Sequence, residues 1–209
     1  QHWMKMLAGS IAGLALALGA GELALRLLPV QQGINAADRD ADWPVHHLVP
    51  HTRITWSSGW RLQNVVRSLA NGAGYVAPFE YERGAAIVAV LGDSYIESLM
   101  NPYASTLQGR LPQLLPGGPQ VYNFGASGAA LPDYLGLASL LRRDFHVAKL
   151  VILVGEGDFV EGFRPGAGQF GWAPQQSALV RLREDSVRSP STKLLRSLAL
   201  VRYVRGNLN

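Results

Sequence analysis

The run AAIVAVLGDSYIESL, residues 85–99, drives an apolar strand to its end and sets a small serine, Ser94, at the tip behind Gly92 and Asp93. Acyl-transfer chemistry places a nucleophile at such a strand-to-helix turn, where the hydroxyl projects clear of the backbone. An ordinary strand-to-loop junction is the competing reading. A second run, VYNFGASGA (residues 121–129), gathers Gly125, Ala126, Ser127 and Gly128. Residues this small let backbone N–H groups come close to a reacting carbonyl, which is what an oxyanion hole requires; Ser94 and Gly125 are its candidate donors. A third run, GEGDFVEG (residues 155–162), carries Asp158. Asp93 and Asp158 read as acceptors that organise their loops rather than as catalytic acids.

A serine hydroxyl is a poor nucleophile without a base. The histidines stand at positions 2, 46, 47, 51 and 146. His146 precedes the strand that feeds the third loop, so it falls at the opposite edge of a parallel sheet from Ser94. His46, His47 and His51 lie in a linker and reach the site only if that linker folds over it. With Asp42 they also form the one candidate metal set, but solvated loop histidines are the simpler reading. The nearby DRDAD run (residues 38–42) lacks the EF-hand pattern, with Trp43 at the sixth position and Val49 at the twelfth. GEGDFVEG has Val160 where a dinucleotide loop needs its third glycine. Neither a cofactor nor a metal is expected.

These loops need elements to hold them. Residues 86–91 read as a buried strand, 106–115 as a short helix interrupted by Pro112, and 120–123 as a strand. Residues 131–143 read as a helix with Pro132 in its first turn, and 149–154 (KLVILV) as another apolar strand. Strand and helix in alternation predict an α/β domain on a mainly parallel sheet, whose ligands gather at the carboxyl ends of the strands. Ahead of it, residues 30–84 read as a linker and a small β-rich entry; Trp43, Trp56 and Trp60 read as packing the linker onto the domain rather than binding sugar.

Residues Met6–Gly21 run sixteen positions without a charge, and the apolar pattern resumes past Glu22 to Leu28. A bilayer core takes about 20 helical residues, so residues 6–28 are expected to contact the lipid bilayer as one transmembrane helix, ended by Pro29. Glu22 and Arg26 stand one turn apart and are placed to pair at the interface. A signal peptide cleaved near Ala20 is the alternative, disfavoured because hydrophobicity continues past that point. Lys5 before the span and Glu22 after it put the amino terminus inside and the domain outside the cytoplasm.

Charged residues make up only 16% of the 209, in keeping with membrane contact, and there is no cysteine for a disulfide or a thiolate site. The net charge of +4 is concentrated beyond Val180, where seven basic residues face Glu184 and Asp185. No aromatic interleaving accompanies that charge, so nucleic acid is not an expected partner.

The three loops, in this order, resemble the SGNH (GDSL-type) hydrolases. Gly92-Asp93-Ser94 matches the block that carries the nucleophile, and Gly125 within VYNFGASG matches the block whose glycine N–H helps hold the oxyanion. Gly155-Glu156-Gly157-Asp158 aligns with the third block, Gly-x-Asn-Asp. GELALRLLP (residues 21–29), NGAGY (71–75) and LLRSLALVRYV (194–204) are similar to membrane-anchored bacterial members. The resemblance implies a flavodoxin-like three-layer α/β/α sandwich over residues 85–209, its carboxyl-terminal part lying outside this sequence. It also implies attachment to the bacterial inner membrane through residues 1–29, with a periplasmic domain.

Two departures bear on activity. Gly157 replaces the asparagine that donates to the oxyanion, a loss of about 3–4 kcal/mol of transition-state stabilisation. The Asp-x-x-His block that supplies the base is missing. Two functions follow: a non-catalytic accessory or scaffold subunit of a larger membrane assembly, or a serine esterase or O-acyltransferase of acylated envelope glycans whose histidine lies beyond Asn209.

Overall fold

The computed structural model describes residues 2–32, 43, 45–164, 169–173, 178–181 and 190–208. A single helix, α1 (His2–Arg26), comes first. A hairpin of β1 (Arg53–Ser58) and β2 (Gln63–Leu69) follows. Then come β3 (Ala86–Gly92), α2 (Ser94–Glu97), α3 (Leu107–Arg110), β4 (Gln120–Gly125), α4 (Leu131–Asp144), β5 (His146–Ile152) and α5 (Glu156–Glu161). The chain continues through β6 (Phe170–Ala173), β7 (Ala178–Arg181), α6 (Pro190–Ser197) and α7 (Ala199–Arg202), with a wide helical turn over Tyr203–Asn207. These elements group into two units that do not follow sequence order. One holds residues 1–33, 55–65 and 188–209; the other holds 34–54 and 66–187.

In the first unit, α1 buries none of its residues and is long and apolar enough to cross a membrane. Its 25 residues span about 37 Å at 1.5 Å each. The helix stops at Arg26, two residues short of the expected end, because Pro29 biases Leu28 away from helical geometry and residues 27–29 turn instead. Arg26 Nε meets Glu22 Oε1 at 2.7 Å, as their spacing predicts. Glu22 does more than pair. Its two oxygens accept the backbone N–H groups of Ala199 and Leu200, both at 2.9 Å, and so cap the amino end of α7.

Asn207 makes a second junction in the same unit. Its side chain accepts from the Gln31 N–H at 3.1 Å and donates to the carbonyl and hydroxyl oxygens of Ser57, each at 3.0 Å. Ser57 Oγ donates in turn to the Pro29 carbonyl at 2.7 Å. The Tyr203 hydroxyl closes the set on the Trp60 carbonyl at 2.8 Å.

The second unit is built on a parallel three-stranded sheet, ordered β4-β3-β5. Strand β3 is central and buried from Ile87 to Gly92, as an apolar run must be when covered on both faces. Ile87, Ala89 and Leu91 share one face with Tyr122 and Phe124, under Tyr134, Leu137 and Leu141 of α4. Val88, Val90 and Val121 form the other, under Ile96, Leu111 and Leu115. An aromatic cluster thickens the first face; Tyr81 stacks on Tyr122 at 4.0 Å and 5°.

The two edges differ. On β4, the Tyr81 hydroxyl donates to the Asn123 carbonyl at 2.7 Å and accepts its N–H at 2.9 Å, doing the work of a missing strand. On β5, Leu150 and Ile152 are 42% and 38% exposed, and β3 is the strand's one partner among the described residues. This strand also starts three residues before the expected Lys149, at His146. Trp43 lies against the core, its indole N–H donating to Tyr75 Oη at 3.3 Å, whereas Trp60 is exposed.

Candidate functional site at the carboxyl edge of the sheet

The strand registers bring the three loops together. Gly92 pairs with Gly125 and Leu91 with Ile152, so the residues that follow β3, β4 and β5 leave the sheet side by side, about 4.8 Å apart per strand. Ser94 opens α2, is half-buried, and stands next to the capping residue Asp93. The Asp93 carboxylate accepts the Tyr95 N–H at 2.9 Å, and its carbonyl takes the N–H groups of Ile96 and Glu97. After four residues α2 ends at Ser98, whose φ of 52° turns the chain out.

The glycines here serve close approach. A Cβ on Gly125 would collide with the backbone nitrogen of Glu97 and lie 2.6 Å from the carbonyl carbon of Ile96. Gly125 is therefore what lets α2 lie down on the end of β4. Its N–H donates to Asn123 Oδ1 at 2.8 Å, and Asn123 Nδ2 donates onward to the Val76 carbonyl at 3.0 Å. The expected oxyanion donor thus has an internal acceptor two residues away.

The other polar groups join the loops to one another. Asp158, 3% exposed, accepts the Gly155 N–H at 2.8 Å and the Tyr134 hydroxyl at 3.0 Å. It thereby caps α5 and ties that helix to α4. Burial first, and the Asp158 charge second, hold the Tyr134 hydroxyl far above the usual phenol range. Glu97, on the inner side of α2, is 2% exposed and reaches the second loop, where both the N–H (3.2 Å) and the hydroxyl of Ser127 donate to it. Burial raises the Glu97 carboxyl above the ordinary range, partly offset by those two bonds.

Glu97 was not among the residues singled out by sequence. The available signal was an acid three residues after Ser94, set between the apolar Ile96 and, one place past Ser98, Leu99.

The raised carboxyl has a sign that can be tested. The folded state favours neutral Glu97, while the unfolded chain ionises it near the ordinary value of about 4.3. Its stabilising contribution is complete below that value and declines as pH climbs through the higher folded value. Glu97→Gln has the same shape without the titration. In paired unfolding titrations, the wild type should lose stability relative to Glu97→Gln as pH rises from about 4. Parallel curves would show that Glu97 titrates alike in both states.

None of the histidines is brought to Ser94 by an observed contact among the described residues. His146 opens β5 at the amino edge, six strand residues from the loops, or about 20 Å. His47 Nδ1 contacts the Val45 carbonyl at 3.0 Å, and His51 lies 3.7 Å from Glu80. Asp42 and the rest of the DRDAD run lie outside the described residues. Among the described residues no group of three or more His, Asp or Glu is placed to hold a metal. At Gly157 the position expected of an asparagine is open, the nearest atom to a Cβ being Glu161 Oε1 at 3.5 Å.

Fold and site together define a mixed α/β protein with a parallel three-stranded sheet and an amino-terminal helix able to span a membrane. Compared with known proteins, the chain matches no family model, no curated protein and no solved structure.

Proposed function

We propose that this is a membrane-anchored, SGNH-hydrolase-like protein that acts without catalysis, as an accessory or scaffold subunit of a larger membrane assembly. The observation that carries the reading is how the polar groups around Ser94 are used. Gly125 N–H is engaged by Asn123, Asp93 by its own helix, and Asp158 by Gly155 and Tyr134. Among the described residues no histidine makes an observed contact with Ser94, and a Cβ at Gly157 would meet nothing closer than Glu161 Oε1 at 3.5 Å. Such a site is a rigid junction of three loops rather than a poised nucleophile.

The strand order β4-β3-β5 supports the finer fold reading, since a doubly wound flavodoxin-like sheet begins in the order second-first-third. The proposed location is the bacterial inner membrane, single-pass, with the α/β unit in the periplasm. Lys5 before the span and Glu22 after it support that orientation.

The second reading keeps one observation of its own. The outer edge of β5, unpaired among the described residues and with Leu150 and Ile152 exposed, is shaped to take another parallel strand. In the resemblance, further strands lead to the histidine block, and with them Ser94 becomes the nucleophile of an esterase or O-acyltransferase acting on envelope glycans. A serine-directed fluorophosphonate decides between the two. Applied to the protein in its native membrane, it should label the wild type no more than Ser94→Ala. Labelling that disappears in Ser94→Ala would replace the scaffold reading with the enzymatic one.

A further inference from the structure

Glu22 is the first charge after the uncharged run Met6–Gly21 and, paired with Arg26, is placed at the interface end of α1. Because both Glu22 oxygens cap α7, the start of α7 is fixed at that level. What surrounds this point is suited to headgroups. On α6, Leu194 and Leu195 are 66% and 55% exposed, with Arg196 next in the chain. Val204 and Leu208, one turn apart, are exposed as well. Trp60 is exposed at the hairpin tip, with the Arg61 guanidinium 4.7 Å above its ring, an aromatic and a cation of the kind that settles at membrane interfaces.

The charge of this unit is one-sided. Glu22 is the sole acidic residue of its three segments, against Arg26, Arg61, Arg188, Lys193, Arg196, Arg202 and Arg205 after it.

We propose that α6, α7 and the hairpin tip around Trp60 form a platform that rests on the anionic lipid headgroups of the bilayer that α1 enters. Leu194 and Leu195 dip to the acyl boundary, while the arginines meet lipid phosphates. This surface is a second lipid contact, separate from the span, and it operates whether or not Ser94 reacts.

The chain has no native cysteine, so Leu194→Cys in the full-length protein gives a single site for an environment-sensitive fluorophore. The labelled protein is reconstituted in nanodiscs of phosphatidylcholine, alone or mixed with phosphatidylglycerol. In the mixed discs the label should shift to the blue and be quenched by lipids carrying a shallow nitroxide; raising the salt should reverse both effects. Arg196→Gln and Arg205→Gln should each lower the ratio of docked to undocked label roughly fivefold. Should either variant misfold, the lipid and salt dependence of the labelled parent still decides. A label that stays in water in both lipids, or shows no preference for phosphatidylglycerol, overturns the proposal. So does one shielded only after native membrane extract is added, which would make this face a protein-docking surface.

Discussion

Asn123→Leu is expected to lower the stability of the sheet-bearing unit by several kcal/mol, although the side chain keeps the same number of heavy atoms. Asn123 is fully buried, and its amide satisfies two backbone groups at once, the Gly125 N–H and the Val76 carbonyl. Leucine leaves both without a partner in a dry interior, at about 1–3 kcal/mol each. The Tyr81 hydroxyl, which binds the Asn123 backbone, is untouched by the change, so the loss reports the side chain alone. Denaturant unfolding in detergent, followed by the near-ultraviolet dichroism of the tyrosine cluster, measures it. A loss below about 1 kcal/mol would mean that both orphaned groups find new partners.

Gly125→Ala and Gly157→Ala should move stability in opposite directions, although each adds one methyl group to a glycine of the candidate site. At Gly125 the methyl meets the backbone of Ile96 and Glu97, which cannot swing aside as a side-chain tip would. α2 must lift off β4, at a cost of about 3 kcal/mol or more. At Gly157 the methyl finds only the end of Glu161 at 3.5 Å, inside a helix. There alanine should stabilise by up to about 1 kcal/mol, the helix preference of alanine over glycine. The same unfolding experiment compares the two. A neutral Gly125→Ala would show that the contact of α2 with β4 is soft, and the packing role given to that glycine would fall.

The central strand, the helix expected over 131–143 and the long apolar helix at the amino terminus were legible because each is a run with one periodicity. The edge strand β5 was less so. Its first residues, His146 and Ala148, are exposed on an uncovered edge, so nothing in their hydrophobicity announces a strand. α2 and α5, at four and six residues, are too short to show a helical period at all. Within the candidate site, sequence gave the residue types but not the occupancy of their bonds. Gly125 reads as a free amide until Asn123, two places earlier, is seen to accept from it. Glu22 was legible as the partner of Arg26 but not as the cap of α7, because that bond joins positions 177 residues apart.

That last separation has a consequence for the order in which the protein is made. The bonds of Glu22 to Ala199, Gln31 to Asn207 and Trp60 to Tyr203 close loops of 143 to 177 residues. Translation adds roughly 5–20 residues per second, so α1 is complete about 10–35 s before Ala199 exists. During that interval α1 and the strands β3, β4 and β5 are already synthesised, but among the described residues Arg26 is the one side chain placed to pair with Glu22. Closing so long a loop also costs more chain entropy than any contact within the sheet. The amino-terminal helix α1 thus acquires its partner α7 only after more than 170 further residues have been added.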